Sequence, residues 1–202
     1  MATTAPTITR PHLDAVKFTW ATLDVYEEAA FTLGSGDIDA ADTLTQGGVT
    51  ATIESITITS GSLAGSDAAG TLKISGRAGG NFGAGAATTT GAGALTLSGI
   101  QTTTYDDGSP VHPNFLEHMD RNVQVKGTVG AAFNMVIEGG RDGTNYSTLN
   151  DATGTAIAFS AAGIKQVQEV PPYMRPRITA GEVDVTTVSV ILVARREPKK
   201  RG

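Results

Sequence analysis

Hydrophobic and polar residues alternate with period two along most of the chain, while the i, i+3, i+4, i+7 spacing of an amphipathic helix scarcely occurs. An all-β fold is therefore expected. Val16, Phe18 and Trp20 alternate with Lys17 and Thr19, which places the single tryptophan on the buried face of a first strand. Ile53, Ser55, Thr57 and Thr59 lie opposite Glu54, Ile56 and Ile58 in a β-branched segment suited to a pleated surface. Leu72 and Ile74, then Leu95 and Leu97, continue the pattern. After Arg121, Val123 and Val125 alternate with Gln124 and Lys126, and Phe133, Met135 and Ile137 alternate with Asn134 and Val136. Tyr146–Leu149, Ala156–Phe159, Ile164–Val170, Met174–Ile178 and Val183–Val193 predict further strands separated by short turns. Such spacing with Gly-rich turns indicates a sandwich or barrel. Trp20, Val123, Val125, Phe133, Met135, Ile137, Phe159 and Val190 are the expected core.

The texture changes between about Gly61 and Gly93, where small residues dominate and little core can be built. Two readings stand: flexible loops flanking a strand at Leu72–Ser75, or thin β-structure whose small side chains let strands approach closely. Composition narrows the function classes. With 202 residues, 40% hydrophobic and only 5% aromatic, the core is modest, and added stability from a neighbouring subunit or partner is expected. Zero cysteines exclude a disulfide scaffold, thiolate metal sites and a Cys nucleophile. No apolar stretch approaches the roughly 20 residues of a membrane span, so no membrane partner is expected. Met1-Ala-Thr-Thr-Ala-Pro6 lacks the basic start and apolar core of a secretory signal, so synthesis in a cytoplasm is expected.

The net charge of −5 argues against a nucleic-acid partner. Its distribution is uneven. Arg195, Arg196, Lys199, Lys200 and Arg201 crowd the C-terminus with only Glu197 opposing them. They form either a solvated tail or an electrostatic contact with an acidic surface. Residues 1–12, with Pro6, Ile8, Arg10 and Pro11, read as an arm that either frays or lies along a partner.

Catalytic apparatus is sparse. His12, His112 and His118 have no metal-binding spacing, no Gly-x-Ser-x-Gly elbow exists, and the glycine runs lack the Lys-Ser/Thr ending of a phosphate loop. No enzyme activity and no cofactor are expected. Asp37-Ile-Asp-Ala-Ala-Asp42 groups three carboxylates, read either as a calcium loop or as a polar turn or helix cap. Tyr105, Tyr146 and Tyr173 are read either as aromatic platforms of a ligand cleft or, with more weight, as core or turn packing. Arg175 and Arg177, flanking Pro176, are expected to pair with Glu138 or Glu169.

Four segments then take on meaning together: Asn122-Val-Gln-Val-Lys-Gly-Thr128, Val136-Ile-Glu-Gly-Gly-Arg-Asp-Gly-Thr-Asn-Tyr-Ser-Thr-Leu149, Ala161-Ala-Gly-Ile-Lys-Gln-Val-Gln-Glu169 and Tyr173-Met-Arg-Pro-Arg-Ile-Thr-Ala-Gly181. In this order they resemble a family of small all-β structural proteins from the head and tail morphogenesis clusters of tailed bacteriophages and prophages. The family pattern runs V-x-V-x-G-T, E-G-S-x-D-G-T-N-W, A-G-I-K-Q and R-P-R-x-T-x-G. Gly140 stands here for the usual Ser and Tyr146 for the usual Trp. The likeness covers Gly108 to Arg196, and shorter relatives join W-x-x-L closely to D-x-G-x-P-V. Here Trp20-Ala-Thr-Leu23 and Asp107-Gly-Ser-Pro-Val111 are separated by more than 80 residues.

The resemblance implies a β-sandwich, Ig-like or jelly-roll-like, of residues 13–23 plus 106–196, with a second Gly/Ala/Thr-rich β-domain of residues 24–105 inserted after the first strand. Residues 1–12 would be an arm and 197–202 a basic tail. It also implies a virion structural protein on the capsid surface, a decoration or cement protein. Its partner would be the major capsid protein, and it would form a homo-oligomer, with a trimer the first arrangement to test. The alternative is a carbohydrate- or receptor-binding sandwich module at a tail or head surface.

Overall fold

The computed structural model describes residues 3–12, 14–113 and 120–196. Among these, every regular element is a strand: β1 (Thr3–Thr4), β2 (Thr7–His12), β3 (Ala15–Ser35), β4 (Thr43–Gln46), β5 (Val49–Ser60), β6 (Ala68–Ala78), β7 (Ala84–Thr89), β8 (Ala94–Tyr105), β9 (Asp107–Gly108), β10 (Asp120–Thr128), β11 (Asn134–Gly140), β12 (Ser147–Thr148), β13 (Ala158–Phe159), β14 (Gly163–Val167), β15 (Tyr173–Ala180) and β16 (Thr187–Arg195). The fold is all-β, as the alternation predicts. The chain forms two compact units, Met1–Val25 with Tyr105–Gly202, and Tyr26–Thr104.

The first unit is a sandwich. One sheet has the order β1-β9-β15-β11-β12, with β13 also on β11. The other runs β14-β10-β16-β3, with β2 added outside the first part of β3. Period-two alternation sends Val16, Phe18 and Trp20 of β3, Val123 and Val125 of β10, and Val188, Val190 and Leu192 of β16 into one core. Met135 and Ile137 of β11 and Met174 and Ile178 of β15 meet them there. All eight residues expected in the core are buried.

Trp20 pairs across the ladder with Val190, and its Nε1–H donates to Ser109 O at 3.1 Å. The backbone N–H of Asp24 donates to Asp106 Oδ2 at 3.1 Å. Thus the Trp20–Leu23 and Asp107–Val111 segments, far apart in sequence, lie side by side in this unit. Gly108 makes that possible, because a Cβ there would sit 2.6 Å from Trp20 Nε1.

The second unit is a six-stranded barrel. The later part of β3 pairs with β6, followed by β5, β4, β7 and β8, and β8 returns to pair with β3. Closure leaves no open sheet edge in this ring, which removes the usual template for unwanted strand addition. Ala29, Ala51, Ala68 and Ala87 fill the interior beside Phe31, Leu44, Ile53, Leu72, Ile74, Phe82, Leu95 and Leu97. The Gly/Ala-rich texture is therefore largely close-packed β-structure in β6 and β7, with turns and irregular segments only at residues 61–67, 79–83 and 90–93. At Gly70 the reason is direct: a Cβ would lie 1.9 Å from Thr57 O on the adjacent strand.

Three expectations change in detail. The first strand is 21 residues long and continues past Asp24, with Asp24 still facing Thr187 and Glu27 already facing Ile74. Strict alternation fails in β5, where register shifts at Thr50/Thr52, Ile53/Ser55 and Ile58/Ser60 let both Ile53 and Ile56 pack on the barrel core. The segment expected as a strand from Val183 begins only at Thr187, because Asp184 has φ +63° and Thr186 N–H bonds Glu182 O in a turn.

Candidate functional site

The family-like segments converge on one charge network in the sandwich unit. Along β15, Met174, Pro176 and Ile178 are buried and alternate with the partly exposed Tyr173, Arg175 and Arg177. In the antiparallel register Glu138 of β11 lies opposite Arg175, and Asp107 of β9 lies opposite Arg177. Glu138 Oε2 accepts from Arg175 Nε at 2.8 Å and pairs with Arg175 Nη2 at 2.8 Å; Oε1 accepts from Arg177 Nη1 at 3.2 Å. Asp107 completes the set, 3.5 Å from Arg175 Nη1 and 3.7 Å from Arg177 Nε. Two carboxylates thus face two guanidiniums, and the network is charge-balanced.

Burial raises the Asp107 carboxyl above its ordinary pKa, against the opposing pull of Arg175 and Arg177. Tyr146 covers the network. The Arg175 guanidinium carbon lies 4.2 Å from its ring centroid, and its hydroxyl donates to Gly143 O at 2.8 Å. Beside it, the turn closes on Asp142, whose Oδ1 accepts the N–H groups of Thr144 and Asn145 at 2.9 and 2.8 Å. Those bonds hold the Asp142 carboxyl well below the usual range. Of the two partners expected for the arginines, Glu138 is the one used. Glu169 instead accepts from Asn150 N at 2.7 Å and from its side-chain amide at 3.3 Å.

One end of this unit opens into a groove of about 720 Å³. Gly139, Gly140 and Arg141 form one side, Ser147, Thr148 and Leu149 a second, and Glu169–Pro172 the third. Arg121 lies beneath the third side, fully buried; its Nη1–H donates to Pro171 O at 3.4 Å and contacts Met174 Sδ at 3.2 Å. Burial lowers its pKa to about 10. No local signal in the sequence singles out Arg121 or Arg141, since the first stands among polar residues at the start of β10 and the second sits within a glycine-rich turn.

The remaining candidates are dispersed. Pro6, Ile8 and Arg10 do not form a free arm: Thr7–Thr9 pair with Thr19–Lys17 of the chain's own β3, and Thr3 and Thr4 run parallel to Asp107 and Gly108. Backbone groups at the start of β3 and at β9 recruit the arm as added strands. Ile8 stays 60% exposed on β2. Arg195 ends β16 opposite Ala15 and Asp120, and Arg196 N–H donates to Asp14 O at 2.8 Å. Lys199, Lys200 and Arg201, and likewise His118, lie outside the described residues. His112 meets Tyr173 edge-on, with ring centroids 5.1 Å apart.

Asp42 belongs to a polar turn, accepting from Asp39 N at 3.0 Å and Thr90 Oγ1 at 2.7 Å. Asp39 is raised by the nearby Asp37 charge. Among the described residues, no group of three or more His, Asp or Glu side chains is arranged to hold a metal ion. No helix there is long and apolar enough to cross a membrane.

Fold and site together define an all-β protein in which a sandwich with a balanced charge network accompanies a closed barrel. Comparison with protein-family models, curated proteins and solved structures gives no match.

Proposed function

We infer that the protein is a virion structural component of a tailed bacteriophage, a capsid decoration or cement protein that binds the major capsid protein and stabilises the shell. One observation carries the reading: the residues of the family-like segments are engaged with one another. Glu138, Arg175, Arg177 and Tyr146, together with Asp107 from the upstream segment, tie three strands of one sheet into a single network. A motif used in this way specifies a rigid scaffold, which is what a static contact protein requires, and it calls for no reacting side chain and no cofactor. With the barrel ring closed and the N-terminal strands added to the chain's own sheets, its contacts rest on surface shape and charge. The basic end from Arg195 to Arg201 supplies an electrostatic contact to an acidic capsid surface, and several copies around a capsid symmetry axis form a homo-oligomer, with a trimer the first closed arrangement to examine.

Mixing the purified protein with undecorated capsids tests the proposal. Saturable, stoichiometric binding is expected, with a shell that withstands higher temperature once coated. Deleting residues 197–202 is expected to leave folding intact and weaken capsid binding most at low salt. Failure to bind capsids, together with recovery of the protein in isolated tails, overturns the assignment.

A further inference from the structure

The groove at the end of the sandwich unit has a polar inventory that the scaffold does not use. Its volume, about 720 Å³, lies within the roughly 300–1,000 Å³ typical of ligand sites. Arg141 is exposed and has no hydrogen bond or ion pair among the described residues. Its neighbouring carboxylate, Asp142, is taken up by the N–H groups of Thr144 and Asn145 and by the Asn145 side chain at 2.7 Å. Glu169 is likewise held by Asn150, and neither acid forms an ion pair with Arg141 among the described residues. The hydroxyls of Ser147 and Thr148, also exposed at the groove, have no partner among the described residues.

The opposite wall is apolar and fixed. Pro171 sits so close to Gly139 that a Cβ there would lie 2.3 Å from its ring, and the buried Arg121 holds its carbonyl. A ligand suited to this wall and these donors carries a carboxylate for the planar fork of Arg141. It also carries hydroxyls for Ser147, Thr148 and the remaining lone pairs of Glu169, and a C–H face for the prolines. Those features coincide in a saccharide bearing a carboxylate. An extended acidic peptide shares the charge but needs a strand edge for its backbone, and β12 offers only two residues.

We propose that this groove binds carboxylated saccharides of the uronic or sialic acid type, with Arg141 as the carboxylate clamp; the inference goes beyond the capsid role and does not depend on it.

The test uses the full chain, titrated with trigalacturonate and with 3′-sialyllactose, against maltotriose and lactose as neutral counterparts and triglutamate as the peptide probe. Binding is followed by calorimetry and by NMR shifts of the Arg141 and Ser147–Thr148 amides. Saturable binding of at least one carboxylated sugar is expected, at least tenfold tighter than its neutral counterpart and weakened by salt. Arg141→Gln is expected to lose that affinity tenfold or more with unchanged Trp20 fluorescence, whereas Lys126→Gln, exposed on β10 and outside the groove, leaves it intact. The proposal is overturned if neither acidic sugar binds, if the neutral sugars or triglutamate bind equally well, or if Arg141→Gln binds as the parent does.

Discussion

Replacing Glu138 with Gln tests whether the charge network holds the sandwich together. The carboxylate is almost fully buried and receives three contacts, two from Arg175 at 2.8 Å and one from Arg177 at 3.2 Å. Breaking a buried pair by removing one partner costs about 3–5 kcal/mol, because the other charge is left uncompensated. Two features reduce that figure here. Arg175 keeps Asp107 at 3.5 Å, and Arg177, with 38% of its side chain exposed, regains water. About 2–4 kcal/mol is therefore expected, a large share of the roughly 5–15 kcal/mol that holds a domain folded.

Trp20, the only tryptophan and 1% exposed, lies in the sandwich core, so its fluorescence in a urea titration reports this unit. Glu169→Gln, which alters an exposed acid, serves as the control and is expected to cost under about 1 kcal/mol. Arg175→Met is expected to cost less in the Glu138→Gln background than in the parent, the signature of coupled partners. A loss below about 0.5 kcal/mol for Glu138→Gln, or one no larger than the control, would refute the argument.

Two further outcomes follow from local geometry. Leu33, 63% exposed with φ +52°, occupies a backbone region that costs most side chains energy, and Asn tolerates it better; Leu33→Asn should stabilise the barrel by about 0.5–1 kcal/mol, read as slower hydrogen exchange across residues 26–104, and faster exchange would show the strain to be absent. Asp142 has a depressed folded pKa, so its contribution is present above the ordinary carboxylate value near 4 and is lost as pH falls through the folded value. Asp142→Ala should accordingly lower Tm at pH 7, with the gap to the parent narrowing on acidification below pH 4. A gap that widens there would contradict the sign.

Much of this was legible residue by residue. The period-two runs at Val16–Trp20, Val123–Val125 and Phe133–Ile137 are local facts of the chain, and burial of one face follows wherever two such strands can pair. The arginines beside Pro176 also announced a need for carboxylates, and the short list of acids contained the right one. What local pattern could not reveal was which acid the register would bring opposite them, or that Asp107 would join from another strand. Tyr146 looked like a ligand platform or turn packing; its ring proved to be covered by Arg175.

By itself, then, the order of residues determined an all-β protein, its core faces and the chemistry available at its surface. Tertiary structure alone decided that small residues close a barrel, that β5 bulges so two isoleucines face inward, that the N-terminal arm adds to its own sheet, and that Arg141 overlooks a groove without an ion-pair partner among the described residues. The division has one physical cause. Side-chain alternation repeats every two residues and is written locally, whereas strand partners, bulges and open mouths depend on contacts between segments far apart in sequence.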